Sequence, residues 1–268
     1  MPVLLVTIAI DMLGFGLIIP LLPFYATEFG AGATLVALLF ATYSLGQLVG
    51  TPILGRISDR IGRRPIMLAC LSVNVIAYLG FGLADSLLTL FIARAVGGLE
   101  AGKIAVAQAY AADISSTAGR TRAMGLTGAA FGFGFAFGPA LGGLILGSDP
   151  DPADYGLPAF VAAGLSLVAL VWGFFALPES LAREHRDTSD RIPFVQRMQI
   201  VRARPELLGM MVVFFAFSLT STQVEATLPL WTAVNLGSGP TPFGHVLPHT
   251  AILLLTRPGS RVSRHLIH

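Results

Sequence analysis

Seven runs of about twenty apolar residues, separated by short polar links, constrain this chain more than any other feature. A bilayer core of about 30 Å takes roughly 20 mostly apolar residues per helix. The runs 3–22, 33–54, 66–84, 87–110, 123–146, 157–177 and 207–234 meet that requirement. Charged residues make up only 12% of the chain, against roughly 25% in an ordinary soluble domain. With Lys103 as its single lysine, the chain has too little polar surface to coat a soluble core. A membrane barrel would alternate polar and apolar residues at every second position, and these runs do not. The fold class is therefore all-α integral membrane. The first run is a span rather than a secretory signal, because no basic segment precedes it and Asp11 interrupts its apolar stretch.

The links alternate in charge. Glu28 stands in the first link, Asp85 in the third, and Asp149, Asp151 and Asp154 in the fifth, all without a base. The second link holds Arg56, Arg60, Arg63 and Arg64, the fourth Arg120 and Arg122, and the sixth six arginines. Basic links stay on the cytoplasmic side. This predicts a multi-pass membrane protein with a cytoplasmic N-terminus and the lipid bilayer as its medium. The sixth link, 178–206, is the longest and most polar. It divides a six-helix unit (1–177) from a seventh span (207–235). The stretch 236–268 carries four prolines and four of the five histidines, and reads as a disordered tail rather than a metal site. A net charge of +2 with no basic tail excludes a nucleic-acid partner. The lone Cys70 can form neither an internal disulfide nor a cysteine metal site.

Ionisable groups inside spans cost about 2.5–3.5 kcal/mol each on insertion scales and mark cavities or partners. Five occur: Asp11 in the first run, Arg94, Glu100 and Lys103 in the fourth, and Glu225 in the seventh. Glu100 and Lys103 are spaced for pairing on one helical face. Arg94 points about 180° away from Lys103. Asp11 and Arg94 are of opposite sign and on different helices, within possible reach. Such a group can be a neutralised structural pair or a proton-titratable, substrate-contacting site. The fifth run carries Gly128, Gly132, Gly134, Gly138, Gly142 and Gly143 around Pro139. Their four-residue spacings suit close helix packing, and the proline suits a bend. No nucleophile motif, metal-protease motif or phosphate loop is present, which argues against an enzyme.

Four stretches resemble the major facilitator superfamily of secondary transporters, within it the proton-coupled drug-efflux branch of the tetracycline exporters. Gly55-Arg-Ile-Ser-Asp59-Arg60-Ile-Gly62-Arg63-Arg64-Pro65 is similar to the superfamily's loop between its second and third helices. Arg94-Ala-Val-Gly-Gly98 resembles a fourth-helix motif attributed to proton coupling. Gly134-Phe-Ala-Phe-Gly138-Pro139-Ala-Leu-Gly142-Gly143 resembles the fifth-helix antiporter motif, and Asp11 to Pro23 the first helix of tetracycline exporters. Similarity extends through Leu177-Pro178-Glu179-Ser180. The resemblance implies a six-helix N-terminal bundle of two, with substrate bound between bundles near the midplane. It implies coupling of Asp11 with Arg94, a cavity-facing Gln47, and a cytoplasmic gate of Gly55, Asp59, Arg60, Gly62, Arg63, Arg64 and Asp113. In that gate Asp113 would pair with Arg63 or Arg64, and Asp59 would face the N-terminus of a second-half helix.

The sequence departs from the tetracycline exporters in having Ala77 where they resemble one another in aspartate, and Glu100 and Lys103 in place of small polar residues. The expected function is proton-coupled antiport of a small amphipathic drug, with a proton gradient as the energy source and no cofactor. A proton symporter for a small solute and an inactive half-transporter are the alternatives. With one helix of a second half, the chain reads as a truncated or frameshifted product that lacks a second bundle or a dimer mate.

Overall fold

In a computed structural model of the chain, residues 1–146, 152–180 and 202–213 are described, with isolated positions 215, 216, 220, 227 and 231. Among the described residues there is no strand. The helices are α1 (Pro2–Ile18), α2 (Leu22–Glu28), α3 (Ala33–Ile61), α4 (Arg63–Gly82), α5 (Leu87–Glu100), α6 (Lys103–Asp113), α7 (Arg120–Leu146) and α8 (Leu157–Ala176). Four of them are individually long and apolar enough to cross a membrane, and α1 with α2 adds a fifth, bent span. Of the predicted seventh span, residues 207–213 are helical and the rest lies largely outside the described residues. The stretch 236–268 lies wholly outside them.

Three boundaries differ from the apolar runs, each for a local reason. The first run ends at Ile18, and α2 follows at a 41° bend. Pro20 and Pro23 stand at this joint, where missing amide hydrogens interrupt the helical ladder. The basic stretch 55–65 is not a loop. Helix α3 continues through it to Ile61 and α4 begins at Arg63, so Gly62 alone is the link. Its φ of 123° lies in a region that side chains rarely adopt, which requires glycine there. The fourth run is interrupted at Ala101–Gly102, dividing it into α5 and α6, both of which pack against α3 and α4. Ser86 caps the start of α5 by accepting from the Thr89 amide. The Thr89 hydroxyl donates to Asp85 at 3.0 Å. Hydrogen bonds from Thr89 and then Ser86 hold the exposed Asp85 carboxyl below its usual range.

Helix α1 packs on α7 and α8, while α3 packs on α5. Both crossings depend on missing side chains. A Cβ on Gly138 would lie 2.6 Å from the carbonyl carbon of Gly16, and one on Gly98 would lie 2.9 Å from Tyr43 Cα. Backbones can approach this closely only where side chains are absent. The fifth run's glycines therefore divide into two faces: Gly134, Gly138 and Gly142 meet α1, whereas Gly128 and Gly132 have open space. Gly143 and Pro139 are buried on the same helix, which continues unbroken through the proline.

Two apolar cores fill the unit. One gathers Leu17, Leu22, Tyr25, Leu39, Phe81 and Leu90. The other gathers Leu4, Ile8, Met67, Val106, Tyr110 and Leu177. The first is closed by Tyr25, whose hydroxyl donates to the Ala84 carbonyl at 3.0 Å and whose ring stacks on Tyr155. The second lies at the opposite end, beside Arg63, Asp113 and Glu179. These are termed the tyrosine end and the arginine end. Outside the cores, Leu48, Leu88 and Phe175 are exposed, as expected of lipid-facing helices.

The substitution Gly138→Val is expected to destabilise the purified protein by about 1–3 kcal/mol through overpacking. Gly128→Ala, on the open face, is expected to shift stability by less than about 0.5 kcal/mol. Thermal unfolding in detergent compares the two, and equal effects would contradict the packing described for α7.

Candidate functional site

Between the two apolar cores, three helices bring charged side chains to one place. Asp11 is on α1, midway between Ile8 and Gly14, which both face the interior. Glu100 closes α5 and Lys103 opens α6, so the break at Ala101–Gly102 falls between them. The Lys103 ammonium lies 2.7 Å from Glu100 Oε2 and 2.8 Å from Asp11 Oδ2. It also donates to Asp11 Oδ1 at 2.9 Å. One cation thus bridges two carboxylates, and all three groups are buried. The contact with Asp11 is an aligned hydrogen bond. That with Glu100 is a charge contact in which Oε2 lacks hydrogen-bond geometry.

Asn74, fully buried on α4, completes the cluster. Its side-chain amide donates to Asp11 Oδ1 at 2.7 Å and to the Ser166 hydroxyl of α8 at 3.3 Å. Neither residue was singled out by the sequence, because uncharged polar residues in apolar runs are common. An inventory of amides within spans would have found Asn74. The Arg94 guanidinium, buried on α5, lies 4.7 Å from the Tyr43 ring centre and 5.6 Å from that of Phe40. A desolvated cation over an aromatic face gains roughly 2 kcal/mol. The partner found for Asp11 is Lys103, where the family likeness implied Arg94. Arg94 and Lys103 lie on different helices: α5 presents Arg94 to the rings of α3, while Lys103 on α6 reaches α1. Gln47 is half-buried on α3, one turn beyond Tyr43.

The gate residues gather at the arginine end. Arg63 pairs with Asp59 at 2.6 Å and with Asp113 at 3.2 Å, and its Nη1 donates to the Ser58 hydroxyl at 2.7 Å. Of the two arginines considered for Asp113, the structure selects Arg63. Arg64 donates instead to the Phe174 carbonyl at 2.6 Å. The stretch Leu177-Pro178-Glu179-Ser180 docks on the same cluster. Glu179 accepts from the Arg63 backbone amide at 2.9 Å, at the N-terminus of α4, where an anion is favoured. The Tyr110 hydroxyl donates to the Pro178 carbonyl. Sequence reasoning recognised that stretch without assigning it a contact. Arg60 is exposed, and a Cβ on Gly55 would meet open space. Among the described residues no group of His, Cys, Asp and Glu is arranged to hold a metal ion.

Replacing Arg63 by alanine is expected to cost about 1.5–3 kcal/mol, since its hydrogen bonds are charge-assisted and its side chain is mostly buried. Arg60→Ala should stay within about 0.5 kcal/mol. Chemical or thermal denaturation in detergent distinguishes them.

The sequence profile of the Major Facilitator Superfamily matches residues 4–266. The chain is 33% identical over 271 residues to the class C tetracycline resistance protein of Escherichia coli, covering 97% of this chain and 67% of that one. It is 35% identical over 185 residues to multidrug resistance protein 2 of Bacillus subtilis (strain 168), covering 69% of this chain and 45% of that one. The chain thus spans between about half and two thirds of the length of these relatives. Among solved structures, the human organic anion transporter MFSD10 superposes with a TM-score of 0.74 at 23% identity, over 95% of this chain and 70% of that one. A bacterial homolog of the human lysosomal transporter Spinster, inward-facing and unoccupied, gives 0.74 at 16% identity, over 93% and 59%. At these identities the structures speak for the fold. With its apolar helices and buried charges on this scaffold, the chain is a multi-pass membrane protein that belongs to the Major Facilitator Superfamily of transporters.

Proposed function

We propose that this chain works in proton-coupled efflux of a small amphipathic drug, as an antiporter of a bacterial inner membrane. The observation that carries this reading is the buried Asp11–Lys103–Glu100 cluster. Two carboxylates share one ammonium, and the Arg94 guanidinium borders the same cavity as Glu100, so the four buried charges balance. In a low-dielectric interior any change in that balance is costly, so occupancy by a proton or by a charged substrate is coupled to the cluster's arrangement. Drug efflux is supported by the similarity to tetracycline and multidrug resistance proteins. Ala77 and the Glu100–Lys103 pair favour a multidrug substrate over tetracycline itself.

The energy source in this reading is the proton gradient, with no cofactor. In this reading the basic links keep the N-terminus and the arginine end on the cytoplasmic side. Substrate would bind where α1, α5 and α7 face a second bundle, supplied by further chain or by a second copy. Asp59 and Arg63 would then hold the cytoplasmic side closed against that partner.

Vesicles containing the chain test the proposal with tetracycline and with a cationic fluorescent dye. An imposed pH gradient should drive uptake of at least one into inverted vesicles, and Asp11→Asn should reduce the rate at least tenfold, equivalent to about 1.4 kcal/mol in the barrier. If a gradient moves neither compound, the antiport assignment to this chain is wrong.

The cluster itself is accessible to a double-mutant cycle. Asp11→Asn and Lys103→Met should each destabilise the protein by about 3–5 kcal/mol, because each leaves a buried charge with less compensation. The double variant should recover about 1–3 kcal/mol of their sum. Additive losses would show that the two groups do not act as a pair.

A further inference from the structure

Helix α3 carries a ridge and helix α7 a groove, and the two helices do not pack on one another within the unit. At about 100° per residue, Leu45, Leu48, Pro52, Gly55 and Asp59 fall within about 40° of one line along α3. Leu45 and Leu48 on that line are 63% and 72% exposed. Along α7, Thr121, Gly125, Gly128 and Gly132 fall within about 30° of one line. All four are exposed, and a Cβ on any of the three glycines would meet nothing within 4 Å. The large exposed side chains of α7, Phe133, Phe137 and Leu144, lie about 110° or more away, on a side suited to lipid. A strip without side chains gives lipid tails little to hold, whereas a second helix can approach its backbone closely.

Ridge and groove match in depth and in charge. Helix α3 runs into the arginine end, where Asp59 meets Arg63, and α7 starts there, soon after Asp113. Leu48 stands eleven residues from Asp59 and Gly132 twelve from Arg120, so both lie about 16–18 Å from that end. Pro52 and Gly128 correspond in the same way, at about 10–12 Å. Asp59 sits in the last turn of α3, where the negative pole of the helix disfavours a carboxylate, and its side chain is 59% exposed even beside Arg63. The start of α7 offers the complement: the positive pole of a helix, with Arg120 and Arg122 exposed on it.

We propose that a second copy of this chain covers this surface, related by a two-fold axis along the membrane normal, with the α3 ridge of each copy seated in the α7 groove of the other. Such a rotation keeps both arginine ends on one side of the membrane. It also sets α3 of one copy antiparallel to α7 of the other, because the first helix enters the arginine end and the second leaves it. Asp59 then faces the basic start of α7 in the other copy, and Leu48 faces Gly132. The contact occurs twice, as in any isologous pair. The dimer rests on the antiport reading above for its role in transport, and supplies the second bundle which that reading requires. Charge decides for a second copy over lipid, since an exposed acid and two exposed arginines gain nothing from acyl chains but pair with each other across the axis.

Two measurements on the whole chain decide the matter. Light scattering in detergent, corrected for bound detergent, should give the mass of two chains. Gly128→Leu combined with Gly132→Leu fills the groove and should raise the dissociation constant of the dimer at least tenfold without lowering the thermal midpoint of the monomer. Phe133→Leu, on the lipid side, should leave the constant unchanged. In lipid vesicles, oxidation should join Leu48→Cys in one tagged copy to Gly132→Cys in a differently tagged copy, but not to Phe133→Cys. The unsubstituted chain, whose only cysteine is the buried Cys70, is the control. Mass and cross-link in the chain with α7 otherwise unchanged decide the question even if the leucine variant fails to fold. A monomeric mass with no cross-link, whether lipid or this chain's own residues 207–235 cover the groove, overturns the dimer and leaves the antiport reading to its own transport test. A dimer joined through Phe133 overturns the arrangement. A dimer joined at Leu48 and Gly132 that moves neither test compound sustains the pairing and removes the antiport reading.

Discussion

Four formal charges buried within one bundle are the constraint to which the rest of the unit conforms. Asp11, Arg94, Glu100 and Lys103 are each 3–6% exposed. At about 2.5–3.5 kcal/mol each on insertion scales, they would burden the bundle by roughly 10–14 kcal/mol if left uncompensated. Lys103 offsets this for two carboxylates at once, and the rings of Tyr43 and Phe40 receive Arg94. The arrangement requires α1, α4, α5, α6 and α8 to converge at one level. The two apolar cores on either side of that level keep the charges away from bulk water.

Convergence at this density depends on the glycines. Gly16 meets Gly138, and Gly98 meets the Tyr43 backbone, so the crossings of α1 with α7 and α3 with α5 are nearly backbone to backbone. Side chains at those crossings would separate the helices by ångströms, and a lysine on α6 would no longer reach Asp11 at 2.8 Å. Tight packing and buried electrostatics are therefore two aspects of one fit. The glycine motif on α7 supports the charges without touching them.

How much of this the sequence discloses depends on the range of the interaction. Apolar run length is local, and each of the first six expected runs carries helix, although α2, α3, α4, α6 and α7 extend beyond their runs. The Glu100–Lys103 pairing, three residues apart, was likewise legible. The break at Ala101–Gly102 was not, because the run stays mostly apolar through it, although Gly102 beside two charges was a signal. The extension of α3 to Ile61 was hidden by the arginines, which mark a membrane side without ending a helix. Contacts between helices were least legible. Nothing in spacing assigns Asp11 to Lys103 rather than Arg94, nor brings Asn74 and Ser166, 92 residues apart, to the same oxygen-rich corner. The docking of Glu179 on the start of α4 belongs to the same class.

The single-residue joint at Gly62 has a mechanical consequence. A connector of several residues would absorb movement of one helix before it reached the next, whereas one glycine transmits it. Asn74 stands twelve residues along α4 from that joint, a lever arm of about 18 Å at 1.5 Å per residue. A tilt of α4 by about 5° about Gly62 would carry Asn74 by about 1.5 Å, beyond the range of a hydrogen bond that now measures 2.7 Å. Rigid helices hinged on one residue thus convert a small rotation at the rim of the membrane into the making or breaking of a bond at its centre.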